Sequence, residues 1–287
     1  MPELPEVETI VRALQPRLQG REVVQATVWD ELLVRFPGIS EFQKRLLRRI
    51  DSVSRRGKYI VINMENRLTW LIHLRMTGKL LVQQPDDTRH LRAKFCLDDG
   101  SGLWYVDMRR FGDMWGFYPG EDACLGGFAS LGPEPLESGF SAQWLQQQGV
   151  RRNIAIKSLL LDQKVVAGLG NIYADEALFV AGINPGMQAS SLSQDQYVAL
   201  TGAIKDVITA AVEARGTTFR DYRTADGQSG SYRQRLLVYA RKGQDCCRCG
   251  AALAGLRLGG RSTVFCPHCQ PGEQEVCEGT AEEEGCG

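Results

Sequence analysis

Residues 1–10 read MPELPEVETI, two proline–glutamate pairs within the first six positions. Pro5 and Glu6 have a ready local explanation. Proline suits the first turn of a helix, where its missing N–H is no loss, and glutamate complements the positive end of the helix dipole. Val7, Ile10, Val11, Leu14 and Leu18 then recur at helical spacing, which predicts a helix opening near Pro5 with one face on a core. Pro2 and Glu3 lie ahead of that helix, and helix formation does not account for them.

Beyond this helix the pattern changes. Between residues 21 and 118 short β-branched and aromatic runs, REVVQATVW, KYIVINM, LTWLIHL, KLLVQQ, AKFCLDD and LWYVDM, alternate with turn residues, the signature of an antiparallel sandwich or barrel. The proline- and glycine-rich LGPEPLESG breaks the chain. Helical patterns follow in QWLQQQG, NIAIKSLLLDQ, NIYADEALFVAG and SLSQDQYVALTGAIKDVITAAVEARG, so a second, all-helical domain is expected. Within it Gly168 and Gly170 interrupt one helix just before Asn171 can open the next. Such a corner offers outward backbone N–H groups that suit a phosphate, although an ordinary inter-helix turn looks the same.

With 287 residues and 43% hydrophobic content, the chain can bury a sizeable core in two or three domains. No signal-peptide pattern opens it and no run reaches the roughly 18 apolar residues of a membrane span, so a cytosolic, membrane-free protein is expected. The net charge is zero, but residues 270–287 hold six glutamates and no lysine or arginine; the remainder carries 34 basic against 28 acidic groups, or +6. Arginine and lysine also cluster, at Arg45/Arg48/Arg49, Arg55/Arg56/Lys58, Arg109/Arg110, Arg151/Arg152 and Arg233/Arg235/Arg241/Lys242. This distribution permits a polyanionic partner, while solvated helix faces would produce it equally well.

Four of nine cysteines fall as Cys246-x-x-Cys249 and Cys266-x-x-Cys269 with sixteen residues between the pairs, the spacing of a zinc ribbon or finger. One structural Zn2+ is expected there, since an intracellular chain disfavours disulfides. Cys247 and His268 are near enough to compete as ligands, but Cys247 would shorten one knuckle. Cys96 and Cys124 read as small core residues. GLRLGG, between the knuckles, suits a β-hairpin that the metal would fold.

PELPE, RRGKY, HLRMTGKL, DMRRFG, LGPEPL, GLGNIYADEAL, VYARKG and the paired knuckles, in that order, resemble the formamidopyrimidine-DNA glycosylase / endonuclease VIII family over almost the whole chain, up to the second cysteine pair. The resemblance implies an α+β protein: an N-terminal β-sandwich, a helix-two-turn-helix domain and a C-terminal zinc-finger β-hairpin, with damaged double-stranded DNA in the cleft between them. The implied division is a catalytic sandwich over 2–130, a linker over 131–149, the helix-two-turn-helix domain over 150–222, a lesion-capping loop and connector over 223–240, the zinc finger over 241–270 and an acidic tail over 271–287. That tail, with Cys277 and Cys286, departs from the family pattern, and its composition reads as disordered.

The resemblance also gives Pro2 and Glu3 a purpose. If Met1 is removed, Pro2 presents a secondary amine whose pKa, like that of α-amino groups, lies far below that of lysine. Such an amine can attack a sugar C1′ and form an iminium without internal proton loss, an electron sink that drives strand cleavage by elimination. Glu3 is then implied as acid and base at the sugar ring, and Glu6 as a supporting hydrogen-bond partner. Lys58, His73, Asn171 and Arg261 match residues that grip phosphates around the lesion, with Lys157 a further contact. Met76, Arg109 and Phe111 match the trio that fills the space left by a flipped nucleotide. Without the family, Met76 and Phe111 read as core, His73 as a satisfied strand histidine and Lys58 as surface charge. Glu176 faces either the base pocket or solvent.

The implied activity is that of a monomeric, cytoplasmic and nucleoid-associated base-excision repair enzyme. It would remove oxidised purines through a Schiff base at Pro2 and then cleave the strand by β,δ-elimination. The residues leave two alternatives: oxidised-pyrimidine specificity as in endonuclease VIII, and a non-catalytic zinc-finger module that binds damage without cutting.

Overall fold

The computed structural model describes residues 1–121, 125, 127–217 and 230–272. Cys124, residues 223–229 of the expected capping loop and the acidic segment from 273 onward, with Cys277 and Cys286, lie outside the described residues.

The opening helix, α1, spans Leu4–Leu18 with Glu3 as its N-cap and Glu6 at the third helical position. Its apolar stripe serves two cores. Leu4 packs in the helical domain with Leu169 and Tyr173, while Val7, Ile10, Val11, Leu14 and Leu18 pack with the sandwich residues Ile60, Ile62 and Phe95. The chain's first residues are thereby fixed at the seam between two domains by apolar burial on both sides.

The sandwich has two sheets. One is ordered β1 (Val23–Val28), β7 (Leu91–Leu97), β8 (Gly102–Val106), β6 (Lys79–Leu81). The other is ordered β2 (Val34–Phe36), β9 (Asp113–Phe117), β5 (Leu68–His73), β4 (Tyr59–Met64), β3 (Ile50–Arg56). All pairings are antiparallel except β2 with β9; that parallel pair departs from the all-antiparallel expectation. A short helix α2 (Ile39–Leu46) follows β2. Cys96 was expected in the core. It lies instead on the half-buried outer face of β7, because Ala93, Phe95 and Leu97 take the inward alternation.

Helices α3 (Ala142–Gly149), α4 (Ile156–Leu161), α5 (Asn171–Ala181) and α6 (Gln194–Glu213) form the second domain. Leu145 of α3 is buried in its core, so residues 131–149, expected as a linker, are largely built into it. The break LGPEPL is also ordered. Glu134, buried between two prolines, accepts from Arg55 at 2.6 Å, Arg56 at 3.0 Å and the Gly57 N–H at 2.6 Å, which fixes the tight β3–β4 turn. The C-terminal hairpin, β10 (Ala254–Leu258) with β11 (Arg261–Phe265), turns at Gly259–Gly260, both at positive φ. Glycine carries no Cβ penalty in that conformation. Among the described residues no helix is long and apolar enough to cross a membrane.

Candidate active site and nucleic-acid interface

Glu3 is 3% exposed, an unusual place for a carboxylate and an unusual residue for an N-cap. Its own N–H donates to Glu6 Oε2 at 2.8 Å, and its Oε1 accepts the Ile172 N–H at 3.0 Å. At the α5 N-terminus the Ile172 N–H is thus taken by Glu3 of the same chain, an anion of the kind that a helix N-terminus favours. The two glycines explain the fit. Leu4 donates its N–H to the Gly168 carbonyl at 3.0 Å, and a Cβ on Gly168 would strike Leu4, whereas one on Gly170 would strike the Glu3 carboxylate. Glu3 Oε2 is buried and has no hydrogen-bond partner among the described residues, and it is carried by the residue that follows Pro2.

Glu6 is fully enclosed. It accepts from Tyr173 Oη at 2.5 Å and from the Thr217 N–H at 2.7 Å, and burial, reinforced by Glu3, pushes its pKa up to about 7. Three donors aimed at one carboxyl hold α1 against α5 and residue 217. Pro2 itself is buried, while Met1 is 41% exposed and borders three cavities of about 320, 360 and 700 Å3.

The second of these cavities brings together four predicted residues, Lys58, His73, Asn171 and Arg261. Lys58 follows the Glu134-locked turn and is 6% exposed; burial lowers its pKa, Glu3 opposes that and Arg261 adds to it. His73 ends β5, its ring edge-on to Tyr59. Burial, then the Arg75 and Lys58 charges, depress it to about 3, so it is neutral at pH 7. Its Nδ1 accepts the Arg75 N–H at 3.1 Å, which leaves Nε2 to carry the proton. Asn171 opens α5, and its Nδ2 donates to the Ser262 carbonyl at 3.0 Å, next to Arg261 on the hairpin. Its Oδ1 is buried without a hydrogen-bond partner among the described residues.

Met76 and Phe111 are 42% and 48% exposed, which removes the core reading for both. The Arg109 guanidinium lies over the Phe111 ring at 4.6 Å. The loop bearing them is shaped by buried Asp107, which accepts from Thr77 Oγ1 and the backbone N–H groups of Arg109 and Gly112. Met108, equally exposed, was not singled out from the sequence and borders the same cavity as Pro2, Met76 and Arg109.

Two expectations fail. Lys157 is wholly buried: its Nζ meets Asp175 at 2.6 Å, Thr263 Oγ1 at 2.8 Å and the Ser262 carbonyl at 3.0 Å. With its donors spent inside the protein it ties α4 and α5 to the hairpin and cannot reach DNA. Glu176 faces neither solvent nor a pocket; it accepts the N–H groups of Leu237, Val238 and Tyr239 at 2.8–2.9 Å, and so clamps the VYARKG segment.

The sulfurs of Cys246, Cys249, Cys266 and Cys269 lie within 4.8 Å of one another, with Cys249–Cys266 at 3.5 Å and Cys246–Cys269 at 3.9 Å. Those separations match the ~3.8 Å edge of a tetrahedron with Zn–S bonds of about 2.3 Å and are far too long for disulfides. The four cysteines are positioned to bind one zinc ion, which would cross-link the hairpin to its flanking knuckles. Cys247 and His268 stay outside the cluster.

Three family models match the chain: the formamidopyrimidine-DNA glycosylase N-terminal domain over residues 1–114, the H2TH domain of the same glycosylase over 131–223, and the zinc finger found in FPG and IleRS over 243–272. The formamidopyrimidine-DNA glycosylase of Pelotomaculum thermopropionicum is 44% identical over 273 residues, 94% of this chain and 99% of the relative. That of Proteus mirabilis is 44% identical over 276 residues, 95% and 99% respectively. The crystal structure of the MutM (Fpg) protein from Thermus thermophilus superposes with a TM-score of 0.86 at 38% identity, covering 94% of this chain and 98% of that one. The Lactococcus lactis Fpg complex with DNA containing an abasic site superposes at 0.86 with 32% identity, covering 94% and 99%. With its sandwich, helical domain and four-cysteine hairpin all matched in order, the chain belongs to the formamidopyrimidine-DNA glycosylase family.

Proposed function

We propose that this chain excises oxidised purines from duplex DNA and then cuts the strand, with Pro2 as nucleophile. The observation that carries this is the Glu3 carboxyl group: buried, joined covalently to the Pro2 residue, clamped through one oxygen and unpartnered at the other. Once Met1 is removed, the amine belongs to the residue that lines the cavity of about 320 Å3 with Glu6, Met76 and Arg109.

The amine lone pair forms the N–C1′ bond as the glycosidic bond breaks, and the base leaves as an anion with the electron pair of the glycosidic bond and takes a proton from water. The resulting ammonium gives its proton to Glu3 Oε2, which passes it to O4′. The C1′–O4′ bond then opens as the nitrogen lone pair forms the iminium. Loss of the C2′ proton expels the 3′ phosphate, and a second elimination expels the 5′ phosphate.

Lys58, neutral His73, Asn171 and Arg261 would hold the phosphates beside the extruded nucleotide, and Met76, Arg109 and Phe111 would fill its place in the stack. Acting as a monomer, the enzyme would work on DNA in the cytoplasm, at the nucleoid. Competing duplexes carrying 8-oxoguanine or an oxidised thymine test the assignment. Preferential release of 8-oxoguanine is expected; preference for the oxidised thymine would move the chain to endonuclease VIII specificity.

A further inference from the structure

Asp113, the first residue of β9, is 3% exposed yet faces two arginines. Its Oδ1 accepts from Arg35 Nε at 2.5 Å and its Oδ2 from Arg75 Nε at 2.7 Å. Both guanidinium groups remain about half exposed and border the cavity of about 700 Å3 that also holds Met76, Phe111 and Arg261. Two positive charges around one negative leave this trio with a net +1, and Arg110 and Arg261 border the same cavity. Arg75 is also one of few non-glycine residues at positive φ among the described residues, +52°, a strained conformation that persists where surroundings enforce it. Here they do so from both sides: its N–H is held by His73 Nδ1 and its side chain by Asp113.

We infer that Arg35 and Arg75 form a paired-guanidinium site for a DNA backbone phosphate beside the Met76–Phe111 wedge, with Asp113 as the positioning residue that aims both. This rests on the DNA-cleaving reading above and extends it to residues that reading does not use. A guanidinium held at Nε still presents its terminal nitrogens, the fork geometry that suits a phosphate oxygen pair. Asp30 holds Arg110 differently, through Nε and a terminal nitrogen together, so Arg110 has less of its fork to offer.

The test is the salt dependence of binding to an uncleavable abasic-site duplex, for the zinc-loaded wild type and for Arg35→Ala, Arg75→Ala and Arg75→Lys. Each alanine variant should reduce the slope of log K against log salt by about 1, the loss of one phosphate contact. Arg75→Lys should keep the slope but lose affinity, because lysine supplies charge without the fork. Asp113→Asn gives a test of sign. Removing a negative charge strengthens binding if the arginines act only as diffuse charge, whereas weaker binding is expected if Asp113 aims them. Unchanged slopes for both alanine variants, or tighter binding by folded Asp113→Asn, would overturn the inference; should Asp113→Asn not fold, Arg75→Lys decides by whether affinity drops. Failure of the wild type itself to bind this duplex would count instead against the DNA-cleaving reading.

Discussion

Gly170→Ala probes the Glu3 clamp with one methyl group. Gly170 has φ −136° and ψ −160°, extended backbone that alanine adopts freely, so no backbone strain accompanies the change. The new Cβ would lie 2.5 Å from Glu3 Oε1 and 2.7 Å from Oε2, well inside contact distance, and the carboxylate must give way. Moving it breaks its bond from the Ile172 N–H. A hydrogen bond to a charged acceptor contributes about 1.5–3 kcal/mol, and if Glu3 must occupy this position to pass a proton to O4′, that energy appears in the barrier as roughly a 10- to 150-fold slower strand cleavage. Single-turnover cleavage of an abasic-site duplex, measured beside the affinity for an uncleavable analogue, separates chemistry from binding. Slow cleavage with affinity near wild type is expected. Cleavage at the wild-type rate would refute the claim that the clamped position of Glu3 matters.

Three further outcomes follow from the same geometry. His73 has a folded pKa of about 3 against an ordinary 6.5, so below pH 6.5 the unfolded chain takes up a proton that the folded one refuses. Between pH 6.5 and 5 the wild type should lose about 1.5 kcal/mol more stability than His73→Gln in urea titrations; parallel pH profiles would show that His73 is not buried as neutral. Phe111→Ala should slow base excision about tenfold or more, spare cleavage at abasic sites and leave Tm unchanged, since the ring is half exposed; equal slowing of both reactions with a fall in Tm would return Phe111 to the core. Cys266→Ser should release zinc to a chelating dye and lose DNA affinity with it, because Arg261 rides on the hairpin; tight binding by a zinc-free variant would contradict this.

Where the sequence was legible, neighbouring residues determine the outcome. The α1 stripe, the β4 and β5 runs, the hairpin at GLRLGG and the paired knuckles are all written locally, and each formed where the pattern put it. Several misreadings share one cause: a polar residue whose partner is distant in sequence. Lys157 looks like any helix lysine until Asp175 and Thr263, the latter 106 residues away, surround it. Glu176, for which the base pocket and solvent were both open, is covered by the backbone of 237–239, and Glu134, inside the LGPEPL break, is held by Arg55 and Arg56. The short β2 and β9 lack a distinctive run, and their parallel pairing is set by tertiary packing. At the site, a half-buried wedge and a buried core carry the same apolar letters, so only exposure distinguishes Met76 and Phe111 from core residues.

The central claim is that the Pro2 amine becomes covalently joined to the sugar. Borohydride added during turnover of an 8-oxoguanine duplex should reduce the iminium and leave a stable protein–DNA adduct, and peptide mapping by mass spectrometry locates it. An adduct on the N-terminal peptide, at Pro2 and only on chains that have lost Met1, is expected. An adduct at Lys58 or any other lysine, or equal trapping of chains that retain Met1, would contradict it.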